Sequence, residues 1–401
     1  MPYTDYSKRR GSGRPSSFRS NNNSSRGAKR GPKKENIQTS RFIKAAVPVL
    51  ADSFAPEHAF ADFALHDLIQ RNVIAKGYTA PTPIQDQAIP LGLAGQDVIG
   101  IANTGTGKTV AFALPVLHKL ITDPGSRVLI MAPTRELAQQ IEDECRTFAK
   151  GSGIAGALLI GGTAMGPQLR DLRANPQIVI GTPGRIKDHM ERGSLKLGDV
   201  DLVVLDEADR MLDMGFIDDI REILSNCARE RQSFFFSATL DNRIKGLVET
   251  FMNNPISIYV KTSETSDNVE QDVVRYGSHH EKIEKLHDLL VNTAGMKALV
   301  FDDTQRSVER LSQELIERGF RADAIHGGKS QSQRQRSLDS FKRSNITILV
   351  ATDVAARGID VKDITHVINY STPQSYQDYV HRIGRAGRAG NTGNALTFIE
   401  R

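Results

Sequence analysis

From Phe60 onward, short apolar runs alternate with longer amphipathic stretches, and the series is played through twice. The first series is Asp97–Ile101, Val128–Met131, Gln177–Ile180, Leu202–Leu205 and Ser233–Phe236. A polar stretch at Thr262–Asn268 interrupts it. The pattern then restarts with Ala298–Phe301, Ala322–Ile325, Thr347–Val350, His366–Asn369 and Asn394–Phe398. Near-continuous apolar runs are how strands of a parallel sheet read when helices cover both faces. Strand and helix in turn predict the α/β class, and two series with a polar joint predict two such domains in tandem. We place the first domain at 60–262, a linker at 263–269 and the second domain at 270–401, with a lead-in segment at 45–59. A chain of 401 residues that is 39% apolar has the length and core material for both. Ligands of open parallel sheets gather at the carboxyl ends of the strands, so the chemistry is expected there.

The residues ahead of the domains are of another kind. Residues 1–44 hold twelve Lys/Arg against Asp5 and Glu35, while the whole chain carries only +5, so the basic balance belongs to a tail. Rich in Ser, Asn, Gly and Arg, the segment has too little to bury to offset its ordering entropy, and we expect it to be disordered. Arg-Gly pairs starting at Arg10, Arg26 and Arg30 suit loose contact with a phosphate backbone and unstacked bases. Cys145 and Cys227 lie far apart with no metal-ligand spacing, which excludes a disulfide scaffold or a cysteine zinc site and favours a reducing compartment. No apolar run approaches the ~18 residues of a membrane span, and no secretory signal is legible. A soluble, cytoplasmic protein with no membrane partner is expected.

Ala102-Asn103-Thr104-Gly105-Thr106-Gly107-Lys108-Thr109 directly follows the run Asp97–Ile101 and opens a helical stretch through Leu120. Its glycines let backbone N–H groups close around phosphates at a helix N-terminus. Lys108 would reach the β- and γ-phosphates, and the Thr109 hydroxyl would sit on Mg²⁺. The first position is Ala102, where the general pattern has Gly. About 100 residues on, Val203-Val204-Leu205 ends in Asp206-Glu207-Ala208-Asp209. An apolar strand ending in paired carboxylates suits a metal-held triphosphate, with Asp206 on Mg²⁺ and Glu207 polarising the attacking water. These residues lead us to expect a triphosphate held with Mg²⁺.

With these residues in order, the chain resembles the DEAD-box ATP-dependent RNA helicases of superfamily 2, bacterial-type members in particular. The resemblance runs from Phe60 to the C-terminus and implies two tandem RecA-like domains behind the basic tail, with ATP as the triphosphate. Gly77-Tyr78-Thr79-Ala80-Pro81-Thr82-Pro83-Ile84-Gln85 resembles the family's adenine-reading segment, with Thr79 and Gln85 on the nucleotide and Phe60 lending an aromatic surface. Gln85 offers the donor and acceptor that an adenine edge needs. Pro133-Thr134-Arg135, Gly161-Gly162 and Thr182-Pro183-Gly184-Arg185 resemble the RNA-backbone segments of domain 1. In domain 2, Gln331, Arg334 and Thr352 resemble RNA contacts, while Gly358 and Asp360 would face the nucleotide. Asp209, Ser237, Thr239 and His381 resemble the residues that couple nucleotide state to RNA state. Arg385 and Arg388 look like fingers reaching across to the γ-phosphate, where such an arginine is worth roughly 10³–10⁵ in rate. Ala386 and Ser371 depart from the family pattern, and the strand Asn394–Phe398 lies next to Arg401, where relatives add a helix.

The resemblance implies a monomeric, RNA-stimulated ATPase that holds single-stranded RNA by its backbone and locally unwinds short duplexes or remodels ribonucleoproteins. Ribosome-assembly and degradosome partners are among those it leaves open. Two other readings compete. A translocating helicase usually has another residue at the place of Asp209, lacks the Gln85 segment and adds strand-separating domains. An RNA chaperone or ATP-gated clamp, working through tail and core, predicts a degraded site, whereas Lys108, Glu207, Arg385 and Arg388 are all present.

Overall fold

A computed structural model describes residues 37–46, 54–103, 105–260, 268–293, 295–356, 361, 363–387 and 392–401. Seven strands, β1 (Val98–Ile101), β2 (Val128–Met131), β3 (Gly156–Leu159), β4 (Ile178–Gly181), β5 (Leu202–Leu205), β6 (Gln232–Ser237) and β7 (Ile256–Tyr259), form the first sheet. Their order is β3-β4-β2-β5-β6-β1-β7, and every pair is parallel. Six more, β8 (Val269–Tyr276), β9 (Ala298–Phe301), β10 (Ala322–Ile325), β11 (Ile348–Ala351), β12 (His366–Asn369) and β13 (Gly393–Glu400), form the second, in the parallel order β10-β11-β9-β12-β13-β8. Each sheet separates two apolar cores covered by helices. The central strands β2, β4, β5, β9 and β11 are buried along their whole length, which is why each reads as an unbroken apolar run.

Three strands have no counterpart in the sequence reading. β3 and β7 are the two edges of the first sheet, and β8 is an edge of the second. A strand with one neighbour need not be apolar on both faces: β7 is mostly exposed, and β8 alternates buried Val269 and Gln271 with exposed Glu270 and Asp272. The linker expected at 263–269 lies outside the described residues except for Asn268 and Val269, and Val269 already opens β8.

The expected disordered tail needs a correction at its end. Residues 1–36 lie outside the described residues, but Thr39–Phe42 forms a 3-10 turn and Lys44 makes an antiparallel bridge to Gln271 on β8. Phe42 is 1% exposed and belongs to the core of the second domain. One aromatic ring with a pocket to fill is enough to order a short segment whose composition is otherwise that of a tail. Among the described residues no helix is long and apolar enough to cross a membrane.

Candidate functional site

The loop after β1 turns into the helix Lys108–Thr122 through Gly107, whose φ of 90° is left-handed backbone that glycine adopts without a Cβ penalty. A side chain at Gly107 would also collide with the Gln85 amide. Lys108 is 6% exposed, and its Nζ donates to the Ala102 carbonyl at 2.8 Å, closing the loop on itself. Thr106 Oγ1 donates to Asn103 O at 2.9 Å, Gly105 has a φ of 87°, and Thr109 stands in the first helical turn. Thr104 lies outside the described residues. Gln85, 1% exposed, accepts from the Thr82 N–H at 3.0 Å and donates to Gly107 O at 3.1 Å, so it ties its own helix Pro83–Leu93 to the phosphate loop. Thr79 is exposed. Phe60 packs edge-on against Phe63 and Tyr78, with centroids 5.8 and 5.6 Å away, and is 4% exposed inside the first core.

β5 delivers the carboxylates. Asp206 and Glu207 are 2% and 6% exposed, and Glu207 has a φ of 52°, a strained left-handed conformation for a non-glycine residue. Burial pushes the Asp206 carboxyl up to about 6, against the pull of Lys108 and with the help of Glu207. For Glu207 burial works the same way, but Arg210, then Lys108, Arg385 and His381, outweigh it and hold the carboxyl below its ordinary value. Two adjacent acids pushed in opposite directions are the signature of divided roles. Arg210 Nη1 meets Glu207 Oε2 at 3.1 Å, a partner three residues along the same turn that the sequence reading did not single out. Asp209 Oδ2 accepts from the backbone N–H groups of Ala238 and Thr239 at 3.1 and 3.2 Å, joining this turn to the segment after β6. Thr239 N–H also reaches Ser237 Oγ at 3.3 Å.

The opposite wall comes from the second domain. A cavity of about 180 Å³ is lined by Lys108, Glu207 and Asp209 on one side and by His381, Val380 and Gly384 on the other. Arg385, 4% exposed, lies next to His381 in an adjoining pocket that also touches Arg210. Arg382 faces inward instead: it pairs with both Asp353 oxygens at 2.6 and 2.7 Å and donates to Asn369 Oδ1 and Ser371 O. The departure at Ser371 therefore falls on a position held by its backbone carbonyl. Arg388, Gly358 and Asp360 lie outside the described residues.

The expected RNA residues line the carboxyl ends of both sheets. Thr134, after β2, caps the helix Arg135–Phe148 by accepting from Leu137 N–H at 3.2 Å. Pro133 is buried beside it, and Arg135 lies against Gly161 and Gly162, where an added side chain would overlap its guanidinium. Thr182 and the exposed Gly184 open the helix Pro183–Glu191, and Arg185 reaches Thr163 O at 3.5 Å. Thr352 ends β11. Gln331 and Arg334 do something the sequence reading missed. Arg334 pairs with Glu136 of the first domain at 2.8 Å, with Gln331 3.5 Å from the same oxygen, and the ion pair is buried at 8% and 2% exposure. No group of acidic, His or Cys side chains able to hold a metal by itself occurs among the described residues.

The site is thus a glycine-rich turn and a carboxylate turn on one domain, faced across the cavity by His381 and Arg385 of the other, the layout of a two-domain ATPase. Comparison with known proteins gives the same class. The DEAD/DEAH box helicase profile matches residues 82–247 and the helicase conserved C-terminal domain profile matches residues 281–390. The chain is 47% identical over 343 residues to the ATP-dependent RNA helicase CshA of Listeria monocytogenes, covering 85% of this chain and 66% of that one. It is 45% identical over 342 residues to the DEAD-box ATP-dependent RNA helicase CshA of Bacillus subtilis, covering 85% and 69%. Among solved structures, S. cerevisiae Dbp5 bound to RNA and ADP BeF3 matches with a TM-score of 0.76 at 27% identity, over 86% of this chain and 90% of that one. The chain belongs to the DEAD/DEAH box helicase family.

Proposed function

We propose that this ATP-dependent RNA helicase hydrolyses ATP only when RNA and nucleotide together hold the cleft closed, and that closure deforms one RNA strand and so separates short duplexes. The observation that carries the reading is the shared electrostatics of Glu207: Lys108 of its own domain and Arg385 and His381 of the other all stabilise the same buried carboxylate. An ionised Glu207 can orient and polarise the attacking water, and Lys108 supplies positive charge where the phosphates sit. Arg385 adds charge from across the cleft. Its contribution depends on closure, so both ligands favour one state and therefore favour each other.

The donor set fits a hard divalent cation. Asp206 is a buried carboxylate whose charged form is penalised by desolvation, and the Thr109 hydroxyl stands in the turn opposite. These two residues would hold Mg²⁺, which would neutralise charge on the phosphate oxygens. The Asp209 contact to Ala238 and Thr239 links the acid turn to the segment after β6. Thr134, Arg135, Gly161, Gly162, Thr182, Gly184, Arg185 and Thr352 offer hydroxyls, cations and exposed backbone to an RNA backbone, which makes binding indifferent to sequence.

Steady-state ATPase with and without single-stranded RNA, on the chain and on Glu207→Gln, tests the reading. Strong stimulation by RNA, abolished in the variant, is expected. Activity indifferent to RNA contradicts gating by closure, and RNA binding with no hydrolysis in either protein assigns the chain to the RNA clamps.

A further inference from the structure

We infer that residues 37–46 brace the helix Tyr376–Ile383, and that Phe42 and Arg41 are positioning residues for Arg385 at the cleft. The inference rests on the shared-site reading above. That helix has only eight residues. An isolated helix of this length is not stable in water, so its orientation is set by what packs against it. Phe42 stands edge-on to Tyr379 with ring centroids 4.8 Å apart, and the Arg41 guanidinium lies 3.6 Å over the Tyr376 ring. Both tyrosines belong to this helix, one turn apart on one face.

Gln271 on β8 locks the arrangement from a third side. Its backbone exchanges two hydrogen bonds with Lys44, at 3.0 and 2.8 Å, while its side-chain oxygen accepts from Tyr379 OH at 2.9 Å. The segment therefore covers an edge strand and grips the helix at the same place. Three residues beyond Tyr379, Arg382 is held by Asp353, and Arg385 follows with its N–H on the Arg382 carbonyl at 3.1 Å. Displacing the tyrosine face displaces the arginine.

The same chain is anchored on the other wall by Glu57 and His58. Their N–H groups meet Asp86 at 2.8 and 3.2 Å, and the His58 ring meets it at 2.8 Å. Asp86 adjoins Gln85, the residue that holds the phosphate loop. The described stretches on either side of residues 47–53 thus touch the machinery of one wall each, and the 37–46 stretch begins within the residues whose composition reads as a tail.

The test compares kcat and KM for ATP at saturating RNA in the full chain, in truncations lacking 1–36 or 1–46, and in Phe42→Ala, Phe42→Leu and Arg41→Ala. Loss of 1–36 should leave kcat within about twofold, whereas loss of 1–46 or Phe42→Ala should lower it about tenfold with KM within about twofold, as misplacement of a catalytic group does. Phe42→Leu should recover most of the loss, and Arg41→Ala should cost about threefold. Hydrogen exchange supplies a readout independent of activity: amides of 376–383 should exchange faster in Phe42→Ala while those of 108–122 do not change. Unchanged kcat in both Phe42→Ala and Arg41→Ala, or unchanged exchange in the helix, overturns the brace. If the full chain lacks RNA-stimulated activity, the helicase reading fails, and the exchange experiment alone decides the brace.

Discussion

The two walls of the cleft are built differently. On the first domain the lysine and the two adjacent carboxylates are held by neighbours a few residues away, Lys108 by Ala102 O, Glu207 by Arg210 and Asp206 by the N–H of Glu207, while Gln85 and Asp209 reach further along the chain to Gly107, Ala238 and Thr239. On the second domain the working groups depend on distant chain. Arg382 reaches Asp353 and Asn369, and the helix before Arg385 leans on Phe42 and Gln271. One wall is a binding surface assembled by local strand-to-helix turns. The other is a set of cations whose position is a result of tertiary packing, and this is the wall suited to carry a signal.

The sharpest way to break that contrast is Asp353→Ala. It leaves Arg382, whose side chain is 1% exposed, without its carboxylate, and an uncompensated buried charge costs about 3–5 kcal/mol. Denaturant unfolding should show the second domain destabilised and the first unchanged; equal loss in both domains contradicts the separation. Glu136→Ala is next in size. It removes the buried cross-domain partner of Arg334 and Gln331, so only the closed state is weakened. The RNA concentration for half-maximal ATPase should rise about tenfold, the equivalent of ~1.4 kcal/mol, with nucleotide affinity measured without RNA unchanged.

The smallest effect is a pH dependence of stability. Burial holds His118 and His189 on the first domain and His366 on the second below their ordinary value of 6.5; nearby His66 adds to it at His118, and Arg185 at His189. A histidine with a depressed folded pKa binds more protons when unfolded. Stability is therefore retained above about pH 6.5 and declines as pH falls toward the folded values. Between about pH 7.5 and about pH 5.5 these histidines should lower the thermal midpoint of their domains, while Asp206, pushed up to about 6, gains a proton in the folded first domain and works the other way; a shallower fall in His189→Gln than in the unaltered chain isolates the histidine part.

The contrast between the walls also explains what could be read from the sequence. The phosphate loop and the acid turn were legible because their chemistry and their fold are written in consecutive residues. The central strands were legible because burial on both faces forces unbroken apolar runs. The edge strands β3, β7 and β8 were not, since half-exposed strands mix polar and apolar residues as loops do. Arg334 was assigned to RNA by its resemblance, yet its partner Glu136 sits almost 200 residues earlier in sequence, beyond any local pattern. Phe42 escaped for a related reason: a segment that docks through one ring has no periodicity and takes on the character of its polar neighbours.

The central claim is that the first wall binds and the second completes the catalyst. It is tested most directly by Arg385→Ala, with nucleotide affinity and single-turnover hydrolysis both measured at saturating RNA. Affinity within about twofold of the unaltered chain, with hydrolysis slower by about 10³, is the result expected for a cation that acts across the cleft on the transition state. Hydrolysis at an unaltered rate, or a loss confined to nucleotide affinity, would contradict it.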